Sequence, residues 1–378
     1  MIYLDYQATT PLAPEAREAM LPFLGEQFGN PHSPHRLGRQ AAAAVEAGRV
    51  RVAALFEGAM AGESQGDVLF TSGATEALNW AIKGAIAIAP AARRRIVTIA
   101  TEHAAVLDSV AALAADGCET VVLPVGADGL VDLDRAAAAI DERTAIVAAM
   151  LVNNEIGVIQ PIAAIGALAR KAGALMLCDA VQGYGRIPLP VDACDMIAIS
   201  AHKIHGPKGI GALWLRRGVA PAPLLHGGGQ EGGLRSGTLA PMLVAGFGVA
   251  AGLALERMER DRAHIEGLRD RALATLGPGW TINGALSPRW PGNLNLRAEG
   301  VDAGRLISDL RDIAFSAGSA CASGSGRPSH VLTAIGLSDA QARSSIRLGF
   351  GRYTTLEEIE RAMTMIDEAA ARQRSWAA

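Results

Sequence analysis

Short apolar runs alternate with alanine-rich helical stretches through most of this chain, and this alternation restricts the folds open to it. The helical stretches are Thr75–Ile88, Ala104–Ala115, Leu133–Ile140 and Ile162–Lys171. The apolar runs predict strands at Val68–Thr71, Arg95–Ile99, Thr120–Leu123, Ala145–Val152, Ala174–Cys178, Met196–Ile199 and Ala212–Leu215. Such alternation predicts an α/β fold, with a mostly parallel sheet covered by helices on both faces. Ligands of such sheets bind where the carboxyl ends of the strands meet loops.

The sequence changes character after a long helix that we predict to end near Glu266. A strand at Gly292–Leu296, a helix at Ala303–Arg311 and a closing helix at Leu356–Arg372 predict a smaller α+β domain. We therefore expect a large domain over residues 15–255 and a small domain formed by residues 1–14 and 256–378. The uncharged stretch Ser236–Leu255 is long enough to span a bilayer. Its glycines, its alanines and the charged residues that follow favour a buried helix instead.

The charge balance and the cysteine content of the chain indicate which kinds of partner and compartment to expect. The chain has 378 residues and is 50% hydrophobic, so it can bury a sizeable core, and its net charge of -3 gives no reason to expect binding to nucleic acid or to a membrane surface. Its four cysteines form no C-x-x-C pair, which excludes common zinc and disulfide patterns and favours a reducing cytoplasm. The N-terminal residues do not resemble a signal peptide, and no metal site is expected.

Lysine is scarce, and one lysine has a distinctive setting. Lys203 follows an apolar strand and precedes a Gly/Pro-rich turn, so its amine should be partly desolvated. Burial lowers the pKa of a lysine and makes the amine nucleophilic toward an aldehyde. Lys208 is the competing lysine, but its Pro-Lys-Gly context is typical of a solvated loop.

Two other predicted strand ends carry polar groups. The segment from Val68 to Ala77 reads as a strand, a small-residue turn and a helix start, which suits a phosphate, although Thr75 could simply cap the helix. Asp179 follows a buried strand, where its carboxylate could hold a protonated heterocyclic nitrogen or cap a helix.

Cys321 lies in a segment of small residues, Phe315 to Gly326. Structural cysteines usually occupy apolar strands or helices, as Cys178 is expected to do. The surrounding glycines and serines predict a loop from which a thiol could reach a substrate, so Cys321 is either a nucleophile or an inert loop residue.

Together these residues resemble the NifS/IscS-type cysteine desulfurases of the class V aminotransferase family. The resemblance extends over most of the chain in ordered motifs: Tyr3–Pro11, Phe28–Pro31, Phe70–Glu76, Thr101–His103, Val152–Gly157, Asp179–Gln182, His202–Lys203, Arg235–Thr238, Gly318–Cys321 and Ser345–Arg347. It implies the pyridoxal-phosphate-dependent transferase fold, of the aspartate-aminotransferase type.

The resemblance also implies a role for each motif residue. Lys203 would bond covalently to pyridoxal 5'-phosphate, Asp179 would pair with its ring nitrogen, Gln182 would bond its phenolic oxygen, and His103 would stack on the ring and handle protons. The residues expected around the phosphate are Ala74, Thr75, Ser200, His202 and, from a neighbouring subunit, Thr238. Asn154 and Arg347 would hold the substrate carboxylate, because a guanidinium fork suits that group.

The implied reaction removes sulfur from L-cysteine, leaves a persulfide on Cys321 and releases L-alanine. A homodimer and a sulfur-acceptor protein are the implied partners, with iron–sulfur cluster assembly as one destination for the sulfur. Gln7 replaces a usual Asn or Ser and Gly232 a usual Arg, and neither is expected to touch the core chemistry. The chain ends at Ser375-Trp-Ala-Ala, which argues against a scaffold partner docked on a longer tail.

Other functions fit less well. A selenocysteine lyase would share the motifs, whereas a transaminase needs no nucleophile at Cys321. His226-Gly-Gly-Gly229 resembles an oxyanion-hole segment of hydrolases, but no G-x-S-x-G motif accompanies it. A non-catalytic sulfur-trafficking partner would have no need to keep Lys203, Asp179, His103 and Cys321 together.

Overall fold

The computed structural model describes residues 1–57, 65–318 and 328–377. Its strands are β1 (Ile2–Tyr3), β2 (Gly66–Thr71), β3 (Arg95–Ile99), β4 (Glu119–Leu123), β5 (Thr144–Met150), β6 (Leu175–Asp179), β7 (Met196–Ser200), β8 (Gly211–Arg216), β9 (Trp280–Ile282), β10 (Asn293–Ala298), β11 (Ile313–Ala314), β12 (Ser316–Ala317) and β13 (Ser345–Gly349). Its helices are α1 (Pro14–Leu24), α2 (Arg36–Glu57), α3 (Ala74–Ile88), α4 (Ala104–Ala115), α5 (Leu133–Ala139), α6 (Ile162–Ala172), α7 (Pro241–Thr275), α8 (Ala303–Asp309), α9 (His330–Ala334), α10 (Asp339–Arg343) and α11 (Leu356–Ala377).

The large sheet has seven strands in the order β2-β8-β7-β6-β5-β3-β4. Strand β8 runs antiparallel to both its neighbours, and every other pair in this sheet is parallel. Successive side chains of β6 and β7 enter two different hydrophobic clusters, one on each face of the sheet. This explains why these strands read as continuous apolar runs. The predicted α/β fold with a mostly parallel sheet is confirmed.

The smaller sheet is antiparallel, in the order β12-β13-β10-β9. The N-terminal strand β1 pairs with β11, so the first residues of the chain join its C-terminal part. From there, residues 5–13 pass the segment that follows β7, where Thr10 N–H donates to His202 O and Ala13 N–H to His205 O, both at 2.9 Å. The division into domains at residues 14 and 255 stays a prediction, because α7 continues through residue 255.

Helix α7 was predicted to end near Glu266, which is wrong, because it continues to Thr275. Among the described residues it is the helix long and apolar enough to cross a membrane by length and composition. Its N-terminal half packs against α2, where a Cβ on Gly248 would lie 2.7 Å from Gly48 Cα. The two glycines therefore let the two helix backbones approach closely, and the buried Val244, Phe247 and Ala251 join the main core.

Gly349 is a second position where a close approach requires glycine. A Cβ built there would lie 1.6 Å from Gln7 Oε1, so the side chain of Gln7 passes through space that alanine would fill. We expect Gly349→Ala to lower the free energy of unfolding by about 1–3 kcal/mol in urea titrations. Gly252→Ala is the control, since nothing lies within 4 Å of its Cβ and α7 should tolerate or favour alanine. Equal stability of the two variants would contradict this interpretation.

Candidate active site

A cavity of about 610 Å³ opens at the carboxyl ends of the parallel strands of the large sheet. Because β8 runs in the opposite direction, the residues that precede it also reach this edge, and Lys208 and Gly209 line the cavity. The predicted site residues that line it are Ala74, Thr75, His103, Asn154, Asp179, Gln182, Ser200, His202, Lys203 and Arg347. Residues that are far apart in the sequence thus meet in one cavity, as expected at the carboxyl ends of the strands in a parallel sheet.

Two predicted site residues are not part of this lining. Thr238 is exposed, just before α7, and does not line the cavity of its own chain. Its predicted contact with a phosphate from a neighbouring subunit stays a prediction. Cys321 lies outside the described residues.

Lys203 ends a short 3-10 turn, Ala201–Lys203, directly after β7. Its Nζ donates to the carbonyl oxygens of Gln7 and Ala8, both at 2.7 Å. Burial, followed by the positive charges of Arg186 and Arg347, lowers the pKa of Lys203 from 10.5 to about 8. The amine is therefore much more often neutral near pH 8 than that of a solvated lysine. The rival Lys208 lines the same cavity but is exposed.

The lowered pKa of Lys203 predicts a specific pH dependence of stability. Between about pH 8 and about pH 10.5 the unfolded chain keeps a proton on this amine that the folded protein has released, so stability from this group rises with pH in that window. Below the window both states are protonated and the full penalty for burying the charge is present. We therefore expect the stability of cofactor-free Lys203→Met, relative to the native protein, to fall by about 2 kcal/mol as pH rises through the window. Parallel pH–stability curves in urea titrations would contradict the lowered pKa.

Asp179 is the last residue of β6, and 4% of its surface is exposed. One carboxylate oxygen accepts a hydrogen bond from Val181 N–H at 3.0 Å. Burial raises the pKa of Asp179, while the nearby His103 and Lys203 oppose that shift. A buried carboxylate that lines a cavity is a favourable place for a cationic nitrogen of a ligand.

His103 is the N-cap of α4, and its Nδ1 accepts a hydrogen bond from Ala105 N–H at 3.1 Å. In the neutral ring this bond places the proton on Nε2. Burial lowers the pKa of His103, which favours that neutral form. The preceding Glu102 is fully buried, accepts from Met150 N–H at 2.7 Å and has its pKa raised well above 4.5 by burial.

The start of α3 and the residues at the end of β7 also line the cavity. The N-cap of α3 is Gly73, so no side chain caps the first N–H groups, and Ala74 and Thr75 line the cavity there. His202 contacts Thr9 Oγ1 through Nδ1 at 3.1 Å, and burial lowers its pKa to about 4. Free N–H groups at a helix start, beside neutral donors, suit a phosphate.

Arg347 lies within β13, and 1% of its side chain is exposed. Its Nη2 pairs with Asp5 Oδ1 at 2.7 Å and its Nη1 donates to Asn154 O at 3.2 Å. Within the described part of the chain, its buried Nε has no hydrogen-bond partner. Because an unpaired buried donor is costly, this group is ready to bind an anionic ligand in the cavity.

The expectation that Gln7 does not touch the core chemistry stays a prediction, although this residue lies next to Lys203. Gln7 is buried and lines the cavity, and its carbonyl oxygen accepts from both Lys203 Nζ and Gln182 Nε2. Its side chain turns away, donating to Gly292 O at 2.7 Å. The backbone, which any residue type supplies, makes the contact with the lysine, so the identity of this residue carried no signal. Gly232 has φ of 64°, a left-handed conformation that disfavours the arginine of relatives.

Three comparisons with known proteins find similarity over most of the chain. The Aminotransferase class-V family model matches residues 2–362. The cysteine desulfurase IscS of Rickettsia akari is 45% identical over 373 residues, which cover 97% of this chain and 90% of that protein. A solved NifS-like protein is 33% identical, with a TM-score of 0.90 and coverage of 98% of this chain and 99% of the other.

A structure described as SspA in complex with cysteine is also similar, with 33% identity, a TM-score of 0.82 and coverage of 94% of this chain and 100% of that one. The matches extend over nearly the whole chain, include both sheets and agree in fold and in sequence. On these grounds the protein belongs to the class V aminotransferase family.

Proposed function

We propose that this protein is a pyridoxal-phosphate-dependent cysteine desulfurase. One observation carries the proposal: a half-buried Lys203 with a lowered pKa lines the same cavity as the buried carboxylate of Asp179 and the unpaired donor of Arg347. These three groups match the aldehyde, the ring nitrogen and the substrate carboxylate that such an enzyme must bind. The similar IscS and NifS-like proteins support the same activity.

The residues present fit the cofactor. Lys203 would hold its aldehyde, Asp179 its ring nitrogen, His103 one ring face, and Gln182 its phenolic oxygen. The phosphate would lie among Ala74, Thr75, Ser200 and His202, with Thr238 of a second subunit. When bound, pyridoxal phosphate supplies a ring that accepts electrons from the substrate α-carbon.

The chain's own groups then have distinct tasks. Arg347 and Asn154 orient the substrate through its carboxylate. The neutral amine of Lys203 removes the α-proton, and His103 exchanges protons near the sulfur. The thiolate of Cys321 attacks the substrate sulfur, so a sulfur–sulfur bond forms while the bond from that sulfur to the β-carbon breaks. The electron pair stays with the carbon skeleton, which is protonated and leaves as alanine.

Mass spectrometry tests this proposal directly. After incubation with L-cysteine, we expect the peptide containing Cys321 to gain one sulfur atom and alanine to appear in solution. The purified protein should also be yellow, and borohydride should fix the cofactor to Lys203. A colourless protein that gains no visible band with added pyridoxal phosphate would overturn the proposal.

We further propose that the protein is a cytoplasmic homodimer that passes its sulfur to an acceptor protein, with iron–sulfur cluster assembly as one use. The position of Thr238, exposed and away from the cavity of its own chain, supports a site shared between subunits. A chain of this length with only four cysteines and no C-x-x-C pair is typical of a reducing compartment, which supports the proposed location. Sedimentation of the native protein as a monomer would contradict the dimer.

A further inference from the structure

Arg186 is a cation behind the cavity that neither the predicted motifs nor the proposed mechanism uses. Its Nη2 donates to the carbonyl oxygen of Lys203 at 2.7 Å, and its Nη1 donates to Gln182 Oε1 at 2.5 Å. Its guanidinium lies 5.7 Å from the ring centroid of Trp290. In the described ranges, no carboxylate pairs with it within 4.0 Å, and burial lowers the pKa of Arg186 to about 10. A partly buried charge without a carboxylate partner is costly, so a functional reason for it is worth seeking.

The first consequence of this contact is the orientation of the amide of Gln182. Because Arg186 can only donate, the atom it meets must be the amide oxygen, and the NH₂ group must lie on the other side. That NH₂ donates to Gln7 O at 2.9 Å, and Gln182 lines the cavity. The amide therefore presents a donor, not an acceptor, next to Lys203.

The second consequence concerns the turn that carries Lys203. The same guanidinium bonds the main-chain oxygen of this residue, so it holds the turn and the amide of Gln182 in one rigid arrangement. A planar fork can make both bonds at once, whereas an ammonium group is a single point charge.

The third consequence is electrostatic. The charged and titratable groups that act on Lys203 are Arg186 and Arg347, which disfavour its proton, and Asp179 and Asp5, which favour it, with His103 and His202 beside it. Of the two arginines, Arg347 is neutralised by Asp5 at 2.7 Å. Arg186 has no such partner, so its charge acts on the lysine without compensation.

We propose that Arg186 is a positioning residue for the cofactor site, which orients the Gln182 donor, holds the Lys203 turn and favours the neutral, reactive form of the Lys203 amine. This inference rests on the proposed function, since it assumes that Lys203 reacts with the aldehyde of pyridoxal phosphate. The hydrogen bonds of Arg186 to Gln182 and to the Lys203 main chain should affect cofactor affinity, and its charge should affect the reactivity of the Lys203 amine. Substitutions can separate these two effects.

Two substitutions separate them. Arg186→Met removes the charge and the fork, whereas Arg186→Lys keeps the charge and loses the fork. Arg289→Met is the matched control, because Arg289 is also largely buried, bonds the carbonyl oxygens of Asn283 and Ala285, and has a pKa lowered to about 10. For each cofactor-free protein, the growth of visible absorbance with added pyridoxal phosphate is followed from about pH 6 to about pH 10.

The proposal predicts a different pattern for each variant. Arg186→Met should move the pH midpoint of the uptake rate upward and slow uptake near pH 7.5 about tenfold, the effect of a one-unit rise in the lysine pKa. Arg186→Lys should keep the midpoint of the native protein but raise the dissociation constant of pyridoxal phosphate about tenfold. Arg289→Met should lower stability and leave both quantities unchanged.

Three results would overturn the inference or locate the failure elsewhere. A native midpoint in folded Arg186→Met would refute the electrostatic role. If Arg186→Lys binds pyridoxal phosphate with the affinity of the native protein, the positioning role is refuted. This test remains possible if Arg186→Met does not fold. If the native protein itself gains no colour at any pH, the proposed function fails instead, whatever the variants do.

Discussion

Replacing Lys203 with alanine is expected to abolish the covalent attachment of pyridoxal phosphate and to lower alanine formation from cysteine by about 10³-fold or more. The amine is the group that both holds the aldehyde and removes the α-proton, so its loss affects binding and catalysis together. Visible absorbance, borohydride trapping followed by peptide mapping, and steady-state assays measure the three effects. Cofactor binding should persist weakly, because Asp179, Gln182 and the phosphate-binding groups remain.

Lys208→Ala is the matched control for that experiment. Lys208 lines the same cavity but is exposed, and the main-chain oxygens of Gln7 and Ala8 are bonded by Lys203. The Lys208 variant should keep the borohydride-stable adduct at position 203. If borohydride treatment of the native protein places the adduct on Lys208, the assignment of the two lysines is reversed.

Cys321→Ser is expected to abolish persulfide formation and sulfide release while the protein stays yellow. A serine hydroxyl is not ionised at neutral pH and cannot accept sulfur as a thiolate does, so the last step stops. The earlier steps use Lys203, Asp179 and Arg347 and should continue, so cysteine should still perturb the visible band. Mass spectrometry of the peptide containing residue 321 and an assay for alanine measure the loss.

The control for this variant is Cys118→Ser, because Cys118 is free and buried at the end of the large sheet, away from the cavity. It should keep both colour and turnover. Full turnover in Cys321→Ser would show that another group accepts the sulfur, and loss of colour in the same variant would place residue 321 in cofactor binding instead.

Much of the large sheet was predictable because most of its strands, with the exception of the partly exposed β4, are buried on both faces. Seven apolar runs between Val68 and Leu215 correspond to strands β2–β8, with ends that differ by a few residues. The short strands β1, β9, β11 and β12 were not predicted, because two or three residues carry no periodic pattern. The five-residue strand β13 was not predicted either. Helix α7 was predicted too short. Its second half is more charged than the first, and the helix packs against α11 as well as against α2.

The candidate lysine and carboxylate could likewise be found from the chain alone, because a lysine after an apolar strand and a carboxylate after another are local patterns. The cofactor and the reaction, in contrast, were implied by the resemblance to cysteine desulfurases. What these patterns lacked were contacts between distant segments. Gln7 meets Lys203 through a main-chain oxygen, and Arg186 meets Lys203 through another, so neither depends on a motif that a sequence could display.

The amino-acid sequence by itself therefore determined the alternating elements, the α/β class and the residue types available for the chemistry, since these follow from local hydrophobic pattern and intrinsic reactivity. Only the tertiary structure decided how far the pKa of Lys203 is lowered, which donor of Arg347 is unpaired and which cation lies behind Lys203. Those properties depend on burial and on charges brought together through space, and both arise when segments far apart in the chain pack against one another.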